Sequence, residues 1–320
     1  MPSAPSPSSA SAATAKEPPV KMELLHISLS GNVMDDDYLG KSMLALDSFV
    51  MRKADPFTGL PRKYKWQEAL SFDDAFKMQQ PGYLDMEHGY VRNKDGTYYV
   101  CCLTDLGTEC TGEMVDWWFS HVESTERYKW WHPRDHISSD WDLQYFSVMP
   151  ENRHCGHYID HVHKVKETVG GVAKNLEIVW QRPSKFFDVA KFAAAGITAC
   201  LCGRVYSEEA GLGVLAIGWL VHMVRKIGNR SEMRSRFWLG HVYMTEDMDN
   251  VVSAWCVNWF ANTHLFRSLK MSDSTADGVW THCAEEMNCL KAFLPSLYAK
   301  EQDVYAMKAA EFEFLPSSWR

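Results

Sequence analysis

Apolar and polar positions in this chain alternate with two different periods, and each period marks a kind of element. Around residues 88–101 the period is two: His88-Gly89-Tyr90-Val91-Arg92 and Thr97-Tyr98-Tyr99-Val100-Cys101 flank Asn93-Lys94-Asp95-Gly96. Asp-Gly supplies the positive φ angles of a tight turn, so the segment predicts a β-hairpin. Residues 157–167 alternate like a strand, and Leu176, Ile178 and Trp180 alternate again after Gly170-Gly171, predicting a second hairpin. A further strand is expected from Phe237 through Tyr243. Helical spacing appears after Thr111, a capping residue followed by Met114, Trp117, Trp118 and His121, with Glu113 and Asp116 in the first turn. Residues 186–195 read as a helix that ends at Gly196. Ser274 or Thr275 is expected to cap a last long helix continuing through Leu290 until Pro295.

Ahead of the first hairpin, residues 20–85 mix helical patterns with turn signals. One run ends at Asp55-Pro56, and Ser71-Phe72-Asp73-Asp74-Ala75-Phe76 stops before Gln80-Pro81-Gly82. This predicts a small, mainly helical N-terminal region. Residues 1–19, rich in Ser, Pro and Ala, read as a disordered low-complexity tail. The whole is expected to be α+β: antiparallel strands and a long C-terminal helix in one large domain over residues 86–320.

Composition narrows the function. Among 320 residues, 33 Lys and Arg stand against 41 Asp and Glu, giving a net charge of −8. The basic residues are scattered, so no phosphate-neutralising patch points to nucleic acid. The longest apolar-rich run, residues 211–224, contains His222 and falls short of the ~20 residues that span a bilayer. The tail lacks the apolar core of a signal peptide. A soluble cytoplasmic protein with no membrane partner is expected. Nine cysteines without a CxxC spacing read as reduced, mostly buried thiols. GxGxxG, P-loop and GxSxG patterns do not occur, which leaves nucleotide binding and serine-hydrolase chemistry without support.

What remains is imidazole, carboxylate and a supply of thirteen tryptophans suited to a flat aromatic ligand. His282 and Glu286 are four apart on the last helix, so both side chains leave one face. Two such donors form half a zinc site, although chance and a helix-surface hydrogen bond account for the spacing equally well. His132, His136, His154, His157, His161, His163 and Glu167 are candidates for the other half. On a strand, His157, His161, His163 and Glu167 would share a face, either a metal face or an exposed polar one. Tyr128 and Tyr243 are phenol donors that could orient a polar aromatic ring. His222 is either a satisfied core histidine or, if it lines a pocket, a proton shuttle.

Longer motifs are more specific. Asp116-Trp117-Trp118-Phe119, the run from Glu126 through Tyr128-Lys129-Trp130-Trp131-His132 to His136, and Met233-Arg234-Ser235-Arg236-Phe237-Trp238-Leu239-Gly240 stand together with His282-x-x-x-Glu286. From about residue 85 onward the chain resembles the 2,4-diacetylphloroglucinol and phloretin hydrolase family. That resemblance implies a Bet v 1-like helix-grip fold and a zinc-dependent hydrolase cleaving the bond between an aromatic polyol ring and an acyl group. It further implies zinc held by two His and two Glu: His136, Glu167, His282 and Glu286, with His132 competing for the first place and His163 for the second. His222 or His132 would protonate the departing ring carbon, and Tyr128 and Tyr243 would hold ring hydroxyls. A homodimer is the implied assembly. Ser138 and Ser139 stand where the family pattern would put a polar amide, which leaves the substrate open. A redox-neutral dehydratase or cyclase acting on a phenolic product, or a carrier of hydrophobic ligands, are the other uses of such a pocket.

Overall fold

The computed structural model describes residues 37–53, 62–209, 213–244 and 251–313; the expected N-terminal tail lies outside them. Eight antiparallel strands form one sheet. They are β2 (Gly89–Arg92), β3 (Tyr98–Gly107), β4 (His136–Trp141), β5 (Val162–Val169), β6 (Val172–Gln181), β7 (Ile197–Glu209), β8 (Gly213–Ile227) and β9 (Arg230–Tyr243). Their order is β2-β3-β9-β8-β7-β6-β5-β4, and a two-residue β1 (Arg62–Lys63) pairs parallel to β2 at the edge. Both expected hairpins are present: Arg92 pairs with Tyr98, and Val169 with Val172 across Gly170-Gly171.

Both faces of the sheet are covered, and β3 displays how. Tyr98, Val100 and Cys102 pack toward the long helix α6 (Asp273–Glu313), whereas Tyr99 and Cys101 pack the other way, onto Met78, Met86 and Trp238. A strand buried on both faces reads as an unbroken apolar run, as Tyr98-Tyr99-Val100-Cys101-Cys102 does. The helical layer also holds α1 (Tyr38–Lys53), α2 (Gly112–His121) and α3 (Thr125–Trp131), and α4 (Val251–Ala261) and α5 (His264–Lys270) follow β9. Thr111 caps α2 by accepting from the Met114 N–H, as expected. Ser42 of α1 donates to the Trp130 carbonyl of α3.

On α6 two stripes lie side by side. Ala276, Trp280, Cys283, Met287, Leu290, Leu294 and Leu297 are buried core. Thr275, Val279, His282 and Glu286 face a cavity. Both follow three- and four-residue spacing, the signature of a helix with one face against protein.

Several expectations need correction. Ser272, not Ser274 or Thr275, caps α6, with its Oγ accepting from the Thr275 N–H at 3.3 Å. The helix runs through Pro295 rather than ending there. Proline removes one helical hydrogen bond, but burial of Phe293, Leu294 and Leu297 holds the turn. Residues 186–195 form no α-helix, only a short 3₁₀ turn at Val189–Lys191. The expected strand over 157–167 begins at Val162; His157 and His161 lie before it, in a segment of turns. The last strand is longer than expected, starting at Arg230. All nine cysteines are free, and only Cys155 and Cys256 are exposed.

Candidate active site

β4, β5 and α6 each bring part of one buried cluster. His136 opens β4 opposite Glu167 of β5, and a register shift between His136 and Ser138 inserts one residue there. The extra residue alters the alternation, so His136, Ser139 and Trp141 point inward while Ile137, Ser138 and Asp140 are turned outward. On β5 the inward set is His163, Val165 and Glu167. From α6 come His282 and Glu286, and the two elements meet closely: a Cβ at Gly278 would stand 2.6 Å from the Gly170 Cα.

Four donor groups converge. Glu167 Oε2 lies 3.8 Å from His136 Nε2 and 3.7 Å from His282 Nε2. Glu286 Oε2 lies 3.6 Å from His136 Nε2 and 3.7 Å from His282 Nε2. Donors around a tetrahedral zinc with ~2.05 Å bonds stand roughly 3.3 Å apart, so small shifts would complete such a shell. Both Nε2 atoms are buried without a hydrogen-bond partner. Such orphaned nitrogens are costly unless something else binds them.

Both rings are held from behind. His136 Nδ1 bonds to the Tyr128 carbonyl at 2.7 Å, and His282 Nδ1 to Asp135 Oδ2 at 3.0 Å. Each Nδ1 donates to oxygen, which presents the Nε2 lone pair to the cluster, the usual arrangement behind metal-binding histidines. Burial alone would raise the Asp135 carboxyl, but its bond to His282 and the nearby His132 hold it below the ordinary range. Tyr128 stacks on His136 with centroids 3.7 Å apart and donates its hydroxyl to Glu167 Oε2 at 2.6 Å.

Charge points the same way. Burial pushes Glu286 up to about 8, with Glu167 adding to it and His282 only partly offsetting it. Burial drives His136 well below its ordinary value, and the neighbouring His282 and His132 add to that. Burial pulls His282 down too, but Glu167, Asp135 and Glu286 outweigh it and raise it to about 9. Two carboxylates facing two imidazoles in a buried site are a donor set that a divalent cation neutralises. The residues fit a metal.

The cluster forms one end of a cavity of about 330 Å³. Phe119, Trp131 and Trp180 line it beside Tyr128, His163 and His222. His222 Nδ1 pairs with Ser235 Oγ at 2.8 Å, and burial lowers the ring to about 4, so it is neutral near pH 7. His163 Nε2 pairs with Ser139 Oγ at 2.7 Å, and its ring stacks on Trp141. Burial brings it down to about 3.

Other candidates lie elsewhere. His132 is buried behind His282, stacked on it at 4.8 Å, and bonded to Glu285 Oε2 at 3.2 Å; it does not line the cavity. Tyr243 ends β9 half exposed, outside the cavity wall. His154 is exposed, His157 Nε2 bonds to the Tyr145 carbonyl, and His161 Nδ1 to Asp142. Asp135 is a site residue that the sequence alone does not single out. Its signal in the sequence was only its place one residue before His136.

A model described as the DAPG hydrolase PhiG domain matches residues 70–299. The chain belongs to the DAPG hydrolase family. Among curated members of this family, phloretin hydrolase of Eubacterium ramulus is 28% identical over 249 residues, covering 75% of this chain and 81% of its own. The 2,4-diacetylphloroglucinol hydrolase of Pseudomonas protegens is 24% identical over 242 residues, covering 71% and 73%. For this DAPG hydrolase family member, Asp135→Asn is expected to weaken metal affinity by roughly 10–100-fold, because a neutral amide oxygen accepts from the His282 Nδ1–H more weakly than the carboxylate and no longer raises the basicity of the ring. Chelator competition on the folded variant measures it, and an unchanged affinity would remove Asp135 from the site.

Proposed function

We propose that the chain is a zinc-dependent hydrolase that cleaves the carbon–carbon bond between a polyhydroxylated aromatic ring and an acyl group, releasing a carboxylic acid. The observation that carries this reading is the pair of unpartnered Nε2 atoms of His136 and His282 facing Glu167 and Glu286 at one end of an aromatic-walled cavity. The names of the relatives, hydrolases of phloretin and of 2,4-diacetylphloroglucinol, support the substrate class.

His136, Glu167, His282 and Glu286 would hold the metal. Bound zinc supplies Lewis acidity toward the acyl carbonyl and toward water. Everything else falls to side chains. Phe119, Trp131 and Trp180 clamp the ring and exclude bulk water. Tyr128 holds Glu167 in place through its hydroxyl. His222, neutral and backed by Ser235, takes a phenolic proton at Nε2 and passes it to the acyl-bearing ring carbon, so that the ring leaves from its keto form as the aromatic phenolate. Water adds its oxygen to the carbonyl carbon, the aryl–acyl bond breaks with its electron pair passing into the ring, and the phenolate oxygen takes the proton that water gives up, leaving the deacylated phenol and the acid. The helix-grip architecture and a homodimer come with this reading by resemblance to the family. No helix among the described residues is long and apolar enough to cross a membrane.

Incubation of acylphloroglucinols with the zinc-loaded protein in ¹⁸O-water, followed by mass spectrometry, tests the reading. Labelled acid together with the deacylated ring is the expected outcome. A product that keeps every carbon would instead select a dehydratase or cyclase.

A further inference from the structure

The cavity is chemically two-ended, and its outer half has no counterpart in the chemistry above. It runs along α6, whose cavity-facing stripe is Thr275, Val279, His282 and Glu286. Thr275 to His282 spans roughly 10 Å at 1.5 Å per residue. Around His282 and Glu286 the wall carries Tyr128, His163, Glu167 and His222. Toward Thr275 it is hydrocarbon: Val279, Leu239, Val242, Ala261, Phe266 and Met271.

Polar side chains at that end do not interrupt the wall. Lys174, Lys270 and Thr275 are exposed and stand at the rim. Arg267 is buried, but its guanidinium is taken up by the Gly240 carbonyl, Asp95 and Asn262. A hydroxyl placed midway would lose its water without gaining a partner, which is unfavourable.

We propose that the outer half binds a hydrocarbon acyl chain, so that the substrate is a polyhydroxylated aryl ketone whose acyl chain has about six to eight carbons. This rests on the hydrolase reading. The ring takes the deep end, where Phe119, Trp131 and Trp180 offer flat faces and His163, His222 and Tyr128 offer polar atoms. The carbonyl sits at the metal-ligating residues. The chain then has one direction left, outward along Val279 and Met271. A phenol-tipped acyl group, such as that of phloretin, sets its hydroxyl against the same hydrocarbon wall.

The test is a series of acetyl-, butanoyl-, hexanoyl- and octanoylphloroglucinol, with phloretin, assayed on the zinc-loaded protein for kcat/KM. Burial of each methylene predicts a rise of roughly three- to fourfold per carbon up to hexanoyl, with hexanoyl ahead of phloretin. Acetyl and octanoyl compounds within threefold of each other, or phloretin ahead of hexanoyl by tenfold, would overturn the proposal. Val279→Trp, which fills the trough, is expected to flatten the slope. If no compound turns over, the hydrolase reading has failed. Quenching of tryptophan fluorescence then still decides: Kd falling with chain length upholds the chain site, and Kd independent of length refutes it.

Discussion

His282→Ala is expected to lose the metal and to lower turnover by roughly a thousandfold or more, the scale on which a bound cation stabilises developing charge. The substitution removes more than a donor. It leaves Glu167 and Glu286 with only the His136 imidazole between them, and it takes from Asp135 its hydrogen bond to His282. The apo protein should keep its fold, since the neighbouring core stripe of Trp280, Cys283 and Met287 is untouched. Metal content by elemental analysis and single-turnover rates with a saturating acylphloroglucinol measure both effects. A folded variant that retained stoichiometric zinc and a tenth of the rate would place the reaction elsewhere. Chelation of the wild type should reproduce the loss, and added zinc should reverse it.

Glu87→Ala is expected to cost about 3–5 kcal/mol of stability, although Glu87 lies on the opposite face of the sheet from the cavity. Its carboxylate accepts from Arg234 Nη2 at 2.5 Å and also from Arg236. Those guanidiniums are 1% and 0% exposed, so removing their shared partner leaves two cations buried together. On the scale for domains somewhat smaller than this one, the loss corresponds to a fall in Tm of roughly 6–20 °C. Activity per folded molecule should be unchanged. The same pair gives a pH dependence. Burial alone would raise Glu87, but Arg236 and Arg234 outweigh it and hold the carboxyl below its ordinary value. A depressed folded value means that this stabilisation is complete above the unfolded pKa of about 4.3 and is lost as pH falls through the lower, folded one. Thermal melts of wild type and Glu87→Ala should therefore converge in acid, and parallel curves would refute the assignment.

Elements whose signals are local could be read from the chain. The hairpin at Asp95-Gly96, the turn at Gly170-Gly171 and the cap at Thr111 each need only a few adjacent residues. The i,i+4 relation of His282 and Glu286 is equally local and places both on the cavity face. The first half of the cluster was harder, because the inward turn of His136 depends on one inserted residue in β4, and simple alternation would group it with Ser138. His157 and His161 looked like strand neighbours of His163 because alternation alone does not mark where a strand begins. Tyr243 qualifies by residue type, and His132 by residue type and by its place in the family-like motif. Whether a phenol or an imidazole reaches a cavity depends on contacts distant along the chain, and here Val242 and His282 hold the places facing it. Asp135 carries no local signal for the same reason, its partner lying 147 positions away.

The contact between Gly278 and Gly170 has a consequence for how such a centre can be lost. Gly170 lies three residues after Glu167, and Gly278 four before His282, so their backbones act as the spacer that sets the gap between hairpin and helix. One methyl group at 278 would be a wedge in that joint. A descendant of this chain could therefore keep every ligand, look intact in any inventory of its chemistry, and still be inert because two backbones stand too far apart.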